Sequence, residues 1–222
     1  MNYLSHYFVN HDVQGLPAAP YFAMGVALPD MWSRFSRRQR IRWPVVRSTP
    51  LREDAPRAGL RAGMLNHVDA DRWFHSLPAF LMWQRDLKRE LSANRAADDV
   101  HPAVIDLLAH VSLELALDHH LLARHPDLAQ RFYGAIGACD AAVVESAAAH
   151  VAGVPTAGLA RITRSFQRRQ FLARYADPKH MARMLRLIFA KTRLNICPPT
   201  TLLAVAIHRA SKMADPAILE IR

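Results

Sequence analysis

Residues 109–123 read AHVSLELALDHHLLA, and the fold turns on this stretch. His110, Glu114 and Asp118 recur at every fourth position, so on an α-helix they drift only about 80° around the axis and share one face. Val111, Leu113, Leu115, Leu117 and Leu121 surround that face, which predicts a largely buried helix carrying three ionisable groups. Unpaired charge in a low-dielectric setting is very costly, so these groups need compensation, and a bound metal ion is the simplest source of it.

A second ladder repeats the first. His67, Asp71 and His75 in HVDADRWFH have the same spacing, and Trp73 and Phe74 beside them argue against an exposed polar stripe. Two helices that each offer a line of His and carboxylate, brought face to face, are how helical bundles build metal sites in their cores. Pro29-Asp30, at the end of the apolar run YFAMGVALPDMW, and His6, close to the start, add further donors. The candidate metal ligands are therefore His6, Asp30, His67, Asp71, His75, His110 and Glu114. Read singly, some have plainer roles: His6 as a core hydrogen-bond maker, Asp30 as the N-cap of a helix starting near Met31.

Working outward, the 222 residues suffice for one sizeable core and contain no long linker or low-complexity block, so residues 1–222 are expected to form one domain. Gly is scarce, at 8, while Ala, Leu and Arg abound, which predicts a mostly helical fold. No apolar run reaches the roughly 18 to 20 residues of a membrane span, and MNYLSHYFVNHD has no basic segment followed by an apolar one, so a cytoplasmic protein is expected. Cys139 and Cys197 lack any paired spacing and read as buried small residues rather than as a disulfide or a thiolate zinc site. A net charge of +10 implies attraction to something anionic: a phosphorylated metabolite, nucleic acid, an acidic protein or a membrane surface.

Along the chain, Tyr3, Leu4, Tyr7 and Phe8 stand at helical spacing, and Pro29-Asp30 reads as a turn. Residues 33–62, with Pro44, Pro50, Pro56 and dense Arg, read as a basic irregular loop near the site mouth, in which Arg37, Arg38 and Arg40 are candidate substrate-binding groups. Pro102 and Asp177-Pro178 mark helix starts, Asp140 a cap, and LARITRSFQRRQFLARYA an amphipathic helix with a second basic face bearing Arg168 and Arg169. His180 and His208 have no partner at helical spacing and read as structural. Ile218 and Leu219, in an apolar C-terminal stretch, point to a surface for a homodimer.

The blocks MNYLSH, LPD, HVDADRWFHSLP and LELALDHHL, in that order, resemble the acyl-carrier-protein phosphodiesterase family, a helical branch of the HD-type metal phosphohydrolases. That family shows a start of the type MNFLAH, an LLxD segment, an H-x3-D-x3-D-x-LP block and a D-H-x-L helix. The matching positions here are His6, Asp30, His67, Asp71 and the pair Asp118-His119. His75 stands where the family usually shows Asp, which keeps a ligand but changes its charge and hardness. The resemblance covers the first half of the chain in scattered blocks. A weaker one is to the zinc-dependent phospholipase C and nuclease group, whose H-x3-D/E helix His110-x3-Glu114 is similar to.

These resemblances imply an all-α, single-domain helical bundle, HD-like or phospholipase-C-like, holding one or two divalent ions (Mn, Fe, Zn or Ni). The activity they imply is hydrolysis of an anionic phosphodiester, such as phosphopantetheinyl acyl carrier protein, by metal-activated water. Asp118 and His119 are then the candidate catalytic acid and base. The alternative is a non-catalytic helical domain that binds an acidic partner or nucleic acid, its histidines serving as hydrogen-bond makers in the core.

Overall fold

The computed structural model describes residues 1–16, 18–36, 40–50, 55–190 and 196–222, the side chains of Ser33 and Arg34 excepted. Among these residues the regular structure is entirely helical. In chain order the α-helices are α1 (Tyr3–Phe8), which widens into a π-turn at Val9–Val13, α2 (Pro20–Phe35), α3 (Trp43–Ser48), α4 (Ala55–Ser76), α5 (Pro78–Ser92) and α6 (Pro102–Arg124). They continue with α7 (Leu128–Gly137), α8 (Ala141–Ala152), α9 (Leu159–Arg169), α10 (Pro178–Phe189) and α11 (Thr200–Met213). Prolines open α2, α5, α6 and α10, where a missing N–H costs nothing. Asp140 and Asp177 accept hydrogen bonds from the first amides of α8 and α10.

The helix that holds the first ladder is the centre of the molecule. Leu108, Leu113 and Leu117 of α6 are fully buried, and α1, α5 and α11 pack around it. Charged pairs tie the outer layer together: Lys88 of α5 lies 2.6 Å from Asp106 of α6, and Arg209 of α11 lies 3.3 Å from Glu90 of α5. The core is a single cluster running from Met1 to Leu219, so the chain is one all-α domain.

Helices α2 and α4 pack backbone to backbone, and two glycines make this possible. A Cβ on Gly25 would run into the backbone carbonyl of Leu60, and one on Gly63 into that of Phe22. The two backbones therefore touch, and this crossing sets the distance between Asp30 on α2 and His67 on α4.

Several expectations are corrected. Pro29-Asp30 is not a turn, nor is Asp30 an N-cap, because α2 continues through Pro29 to Phe35. Proline inside a helix deprives the carbonyl four residues earlier of its partner. That residue is Gly25, whose seat against α4 is fixed by packing, and tertiary contact outweighs the local cost. The stretch 33–62 is not one irregular loop, since α2 ends in it, α3 lies within it and α4 begins in it. Arg61, one of its basic residues, caps α3 by donating from Nε to the Val46 carbonyl at 2.7 Å and from Nη2 to that of Arg47 at 2.5 Å. Arg40 is exposed, whereas Arg37 and Arg38 lie outside the described residues. Ile218 and Leu219 are buried in the chain's own core and offer no dimer surface, and Cys197 is exposed while Cys139 is buried. Among the described residues no single helix is long and apolar enough to cross a membrane.

Candidate metal centre

Four helices deliver the candidate ligands: α1 brings His6, α2 brings Asp30, α4 brings His67, Asp71 and His75, and α6 brings His110 and Glu114. They form two sets, each with its donor atoms within 4.8 Å of one another: His6, Asp30 and His67, and then His75, His110 and Glu114. Both sets can hold a metal ion. His75 thus leaves the ladder it shares with His67 and joins the one on α6. The i, i+4 spacing predicts the shared face of each helix, but the pairing between helices comes from the packing.

In the first set the imidazoles of His6 and His67 are buried and stacked, with ring centroids 4.1 Å apart. His67 Nδ1 donates to the Val26 carbonyl at 2.9 Å, which turns Nε2 toward Asp71 Oδ2 at 3.3 Å and Asp30 Oδ1 at 3.9 Å. A backbone carbonyl on the far nitrogen is the usual way a ligand histidine is oriented. His6 Nε2 lies 3.1 Å from Asp71 Oδ1 without hydrogen-bond geometry. Positive charge is therefore needed where His67 Nε2 meets two carboxylates, and either a proton or a metal ion meets the need.

The electrostatics fit this picture. Burial and the neighbouring His67 lower the pKa of His6 to about 3, so that ring is neutral. Burial opposes charge on His67 as well, but Asp30 and Asp71 outweigh it and raise its pKa. Burial lifts Asp30 to about 7, against the attraction of His67. Asp71, despite burial, is held well below the usual carboxylate range by His6, His67 and the N-terminal ammonium.

That ammonium was not foreseen. Met1 N stands 2.7 Å from Asp71 Oδ1 and 3.0 Å from Glu114 Oε1, so one buried positive charge joins the two sets. Burial opposes its charge, yet the two carboxylates keep its pKa near 10. In the second set Glu114 Oε1 also meets His75 Nε2 at 3.2 Å and His110 Nε2 at 3.1 Å. Burial would raise Glu114, but the ammonium, His110 and His75 hold it well below its ordinary value. His75 and His110 are about one-third exposed, so this set faces solvent while His6 and His67 line the inner wall.

Asp118 and His119 stand apart from both sets. Asp118 is fully buried and accepts from Ser5 N at 2.8 Å, Ser5 Oγ at 2.7 Å and Leu4 N at 3.3 Å. These are first-turn amides of α1, which receives no cap from its own Asn2, so Asp118 caps α1 from another helix. The residue expected to move protons therefore positions His6. His119 Nδ1 faces the Tyr175 carbonyl at 2.9 Å and takes no part in either set. Neither the ammonium nor Ser5 is marked by a motif, and only their place beside His6 in the opening block could have pointed to them.

No family model matches this chain, and neither the curated proteins nor the solved structures yield a significant match.

Proposed function

We propose that the protein is a metal-dependent phosphodiesterase acting on an anionic phosphodiester of the phosphopantetheinyl carrier-protein kind. The observation that carries this reading is the pair of ligand sets linked through Asp71, Met1 and Glu114, with His67 oriented from behind by Val26. Imidazole and carboxylate together suit Mn, Fe, Zn or Ni. His6, Asp30 and His67 would hold one ion and His75, His110 and Glu114 a second, and such ions supply an activated water and neutralise phosphoryl oxygens. Asp71, adjacent to both histidines of the inner set, fixes their orientation. The net charge of +10 favours approach of an acidic, phosphate-bearing substrate, and we place the reaction in the cytoplasm.

One observation favours a rival. The ammonium of Met1 already pairs with both Asp71 and Glu114 and offsets part of their charge, which is how a purely structural polar core would be satisfied. The rival is a helical domain that binds an acidic partner and performs no catalysis. Elemental analysis of protein incubated with Mn, Fe, Zn or Ni separates the two. Two equivalents in the wild type, one in His110→Ala, and metal-dependent cleavage of bis(p-nitrophenyl) phosphate or of holo carrier protein support the enzyme. A wild type that stays metal-free after incubation removes it and leaves the binding domain.

A further inference from the structure

Two cavities lined by none of the candidate ligands meet along α10, where Arg183 and Leu187 belong to both. The larger, of about 940 Å³, is a groove floored by Ala182, Leu187, Leu203, Ala204 and Ile207 of α10 and α11. Its volume is in the range of about 300 to 1,000 Å³ that small-molecule pockets occupy. The smaller, of about 370 Å³, is lined by Arg169 of α9, Arg183 of α10 and Arg174 from the turn between them. Ser165 and His180 also line it, and His180 Nε2 has no hydrogen-bond partner among the described residues.

The aliphatic groove is costly to leave in water, and the smaller cavity gathers like charge. Leu187 is 42 % exposed at the junction, on a wall of aliphatic side chains. None of the three arginines forms a salt bridge among the described residues, so three guanidinium groups from three elements converge with no carboxylate between them. A molecule with a compact negative charge at one end and a hydrocarbon chain at the other relieves both costs at once.

We propose that the joined cavities bind a soluble single-chain amphiphile with a phosphate head, the head lying among Arg169, Arg174 and Arg183 and the chain along the groove between α10 and α11. The site is separate from both ligand sets, since no candidate ligand lines it; His119, which takes no part in either set, lines the groove. A guanidinium fork matches phosphate oxygens two at a time, which accounts for arginine rather than lysine at the head. The chain provides affinity in proportion to the apolar surface it removes from water.

The exposed thiol of Cys197, which lines the groove, serves as a built-in reporter. The test titrates dodecyl phosphate, kept below its micelle concentration, into the full chain by calorimetry, and follows Cys197 labelling by Ellman's reagent in parallel. The expected result is binding of one molecule per chain with at least tenfold slower labelling at saturation. Octyl phosphate, dodecyl maltoside and inorganic phosphate should each bind at least tenfold more weakly. Arg183→Glu and Ala204→Trp, both at exposed positions, should each weaken dodecyl phosphate at least tenfold with an unchanged circular dichroism spectrum. His67→Ala, once its circular dichroism matches the wild type, should bind it like the wild type, although the inner ligand set is impaired. Equal binding of dodecyl maltoside, or an Arg183→Glu variant with wild-type affinity, overturns the proposal. So does attachment to phosphatidylglycerol vesicles without binding of the soluble amphiphile, which would make this face a membrane contact.

Discussion

His6 and His67 stack ring on ring, 24° from parallel, and both direct Nε2 at the carboxylate of Asp71. Two imidazoles so close cannot both be cationic, and a single carboxylate serves both. Asp71→Asn removes that anion while keeping its shape. The expected outcome is at least a tenfold loss of metal affinity, as when a partner that orients ligands is lost, together with destabilisation of about 2 kcal/mol or more from the broken ion pair with Met1. Metal titration and urea unfolding of the same samples measure both.

Gly63→Ala should act on the same site from a distance. The new methyl group meets the Phe22 carbonyl, so α2 must move away from α4, at a cost of about 1–3 kcal/mol as in other overpacked cores. Because α2 carries Asp30 and α4 carries His67, metal binding should fall together with thermal stability. A variant that loses stability but retains full metal affinity would show that Asp30 is not needed as a ligand.

The linkage between Asp118 and α1 has a definite sign in pH. Burial raises Asp118 to about 7, against hydrogen bonds from Ser5 and Leu4 that pull it down, whereas its ordinary value is 3.8. A folded pKa above the unfolded one means that the fold favours the protonated form. The stability contributed is complete below the unfolded value and is lost as pH rises through about 7. Asp118→Asn cannot titrate, so the wild type should exceed it in unfolding free energy by more at pH 5 than at pH 8. A gap that is constant with pH would mean that the three donors keep the carboxylate ionised throughout.

Extending the chain before Met1 should be harmful in a way that a C-terminal extension is not. An added residue converts the buried ammonium into an amide and leaves Asp71 and Glu114 facing each other without the charge that joins them. Metal-free protein carrying the N-terminal extension should melt several degrees lower than its C-terminally extended counterpart, and added Mn or Zn should restore part of the difference.

The two cysteines should differ sharply toward Ellman's reagent. Burial pushes Cys139 up to about 12, whereas Cys197 is exposed. One thiol should react quickly in the native protein and the second only in denaturant. Fast reaction of both in the native state would mean that α8 and the turn before it open readily.

Much of the candidate centre was legible in the sequence because helical periodicity is a local property. The four-residue spacing of His67, Asp71 and His75, and of His110, Glu114 and Asp118, places each trio on one face whatever packs against it. Which trio members meet is not local. His75 crosses to the α6 set and Asp118 turns to α1, and both outcomes depend on how far α1 and α4 slide along α6. Pro29 misled for a related reason, since its local cost as a helix breaker was set against a contact between Gly25 and Leu60 that lies outside its own segment. The smaller Arg cavity was half legible as a basic helical face bearing Arg169 and Arg174, but the single helix expected over 159–176 breaks at Gln170, whose left-handed backbone ends α9 before a short 3-10 turn, and Arg183 joins only from α10.

The order in which the ligands occur along the chain has a consequence for synthesis. His6, Asp30, His67, Asp71, His75, His110 and Glu114 all precede the end of α6 at Arg124, and Asp118, which fixes α1, is the last residue the arrangement needs. A ribosome that has released residues 1–124 has therefore released the whole ligand set, while α7 to α11, with the groove and its arginines, are still to come. Early in its life the chain offers scattered histidines and carboxylates but no cage, so metal captured then would be held loosely and exchanged freely. On the proposed metal reading, retention would begin only when the returning α6 closes onto the first helix.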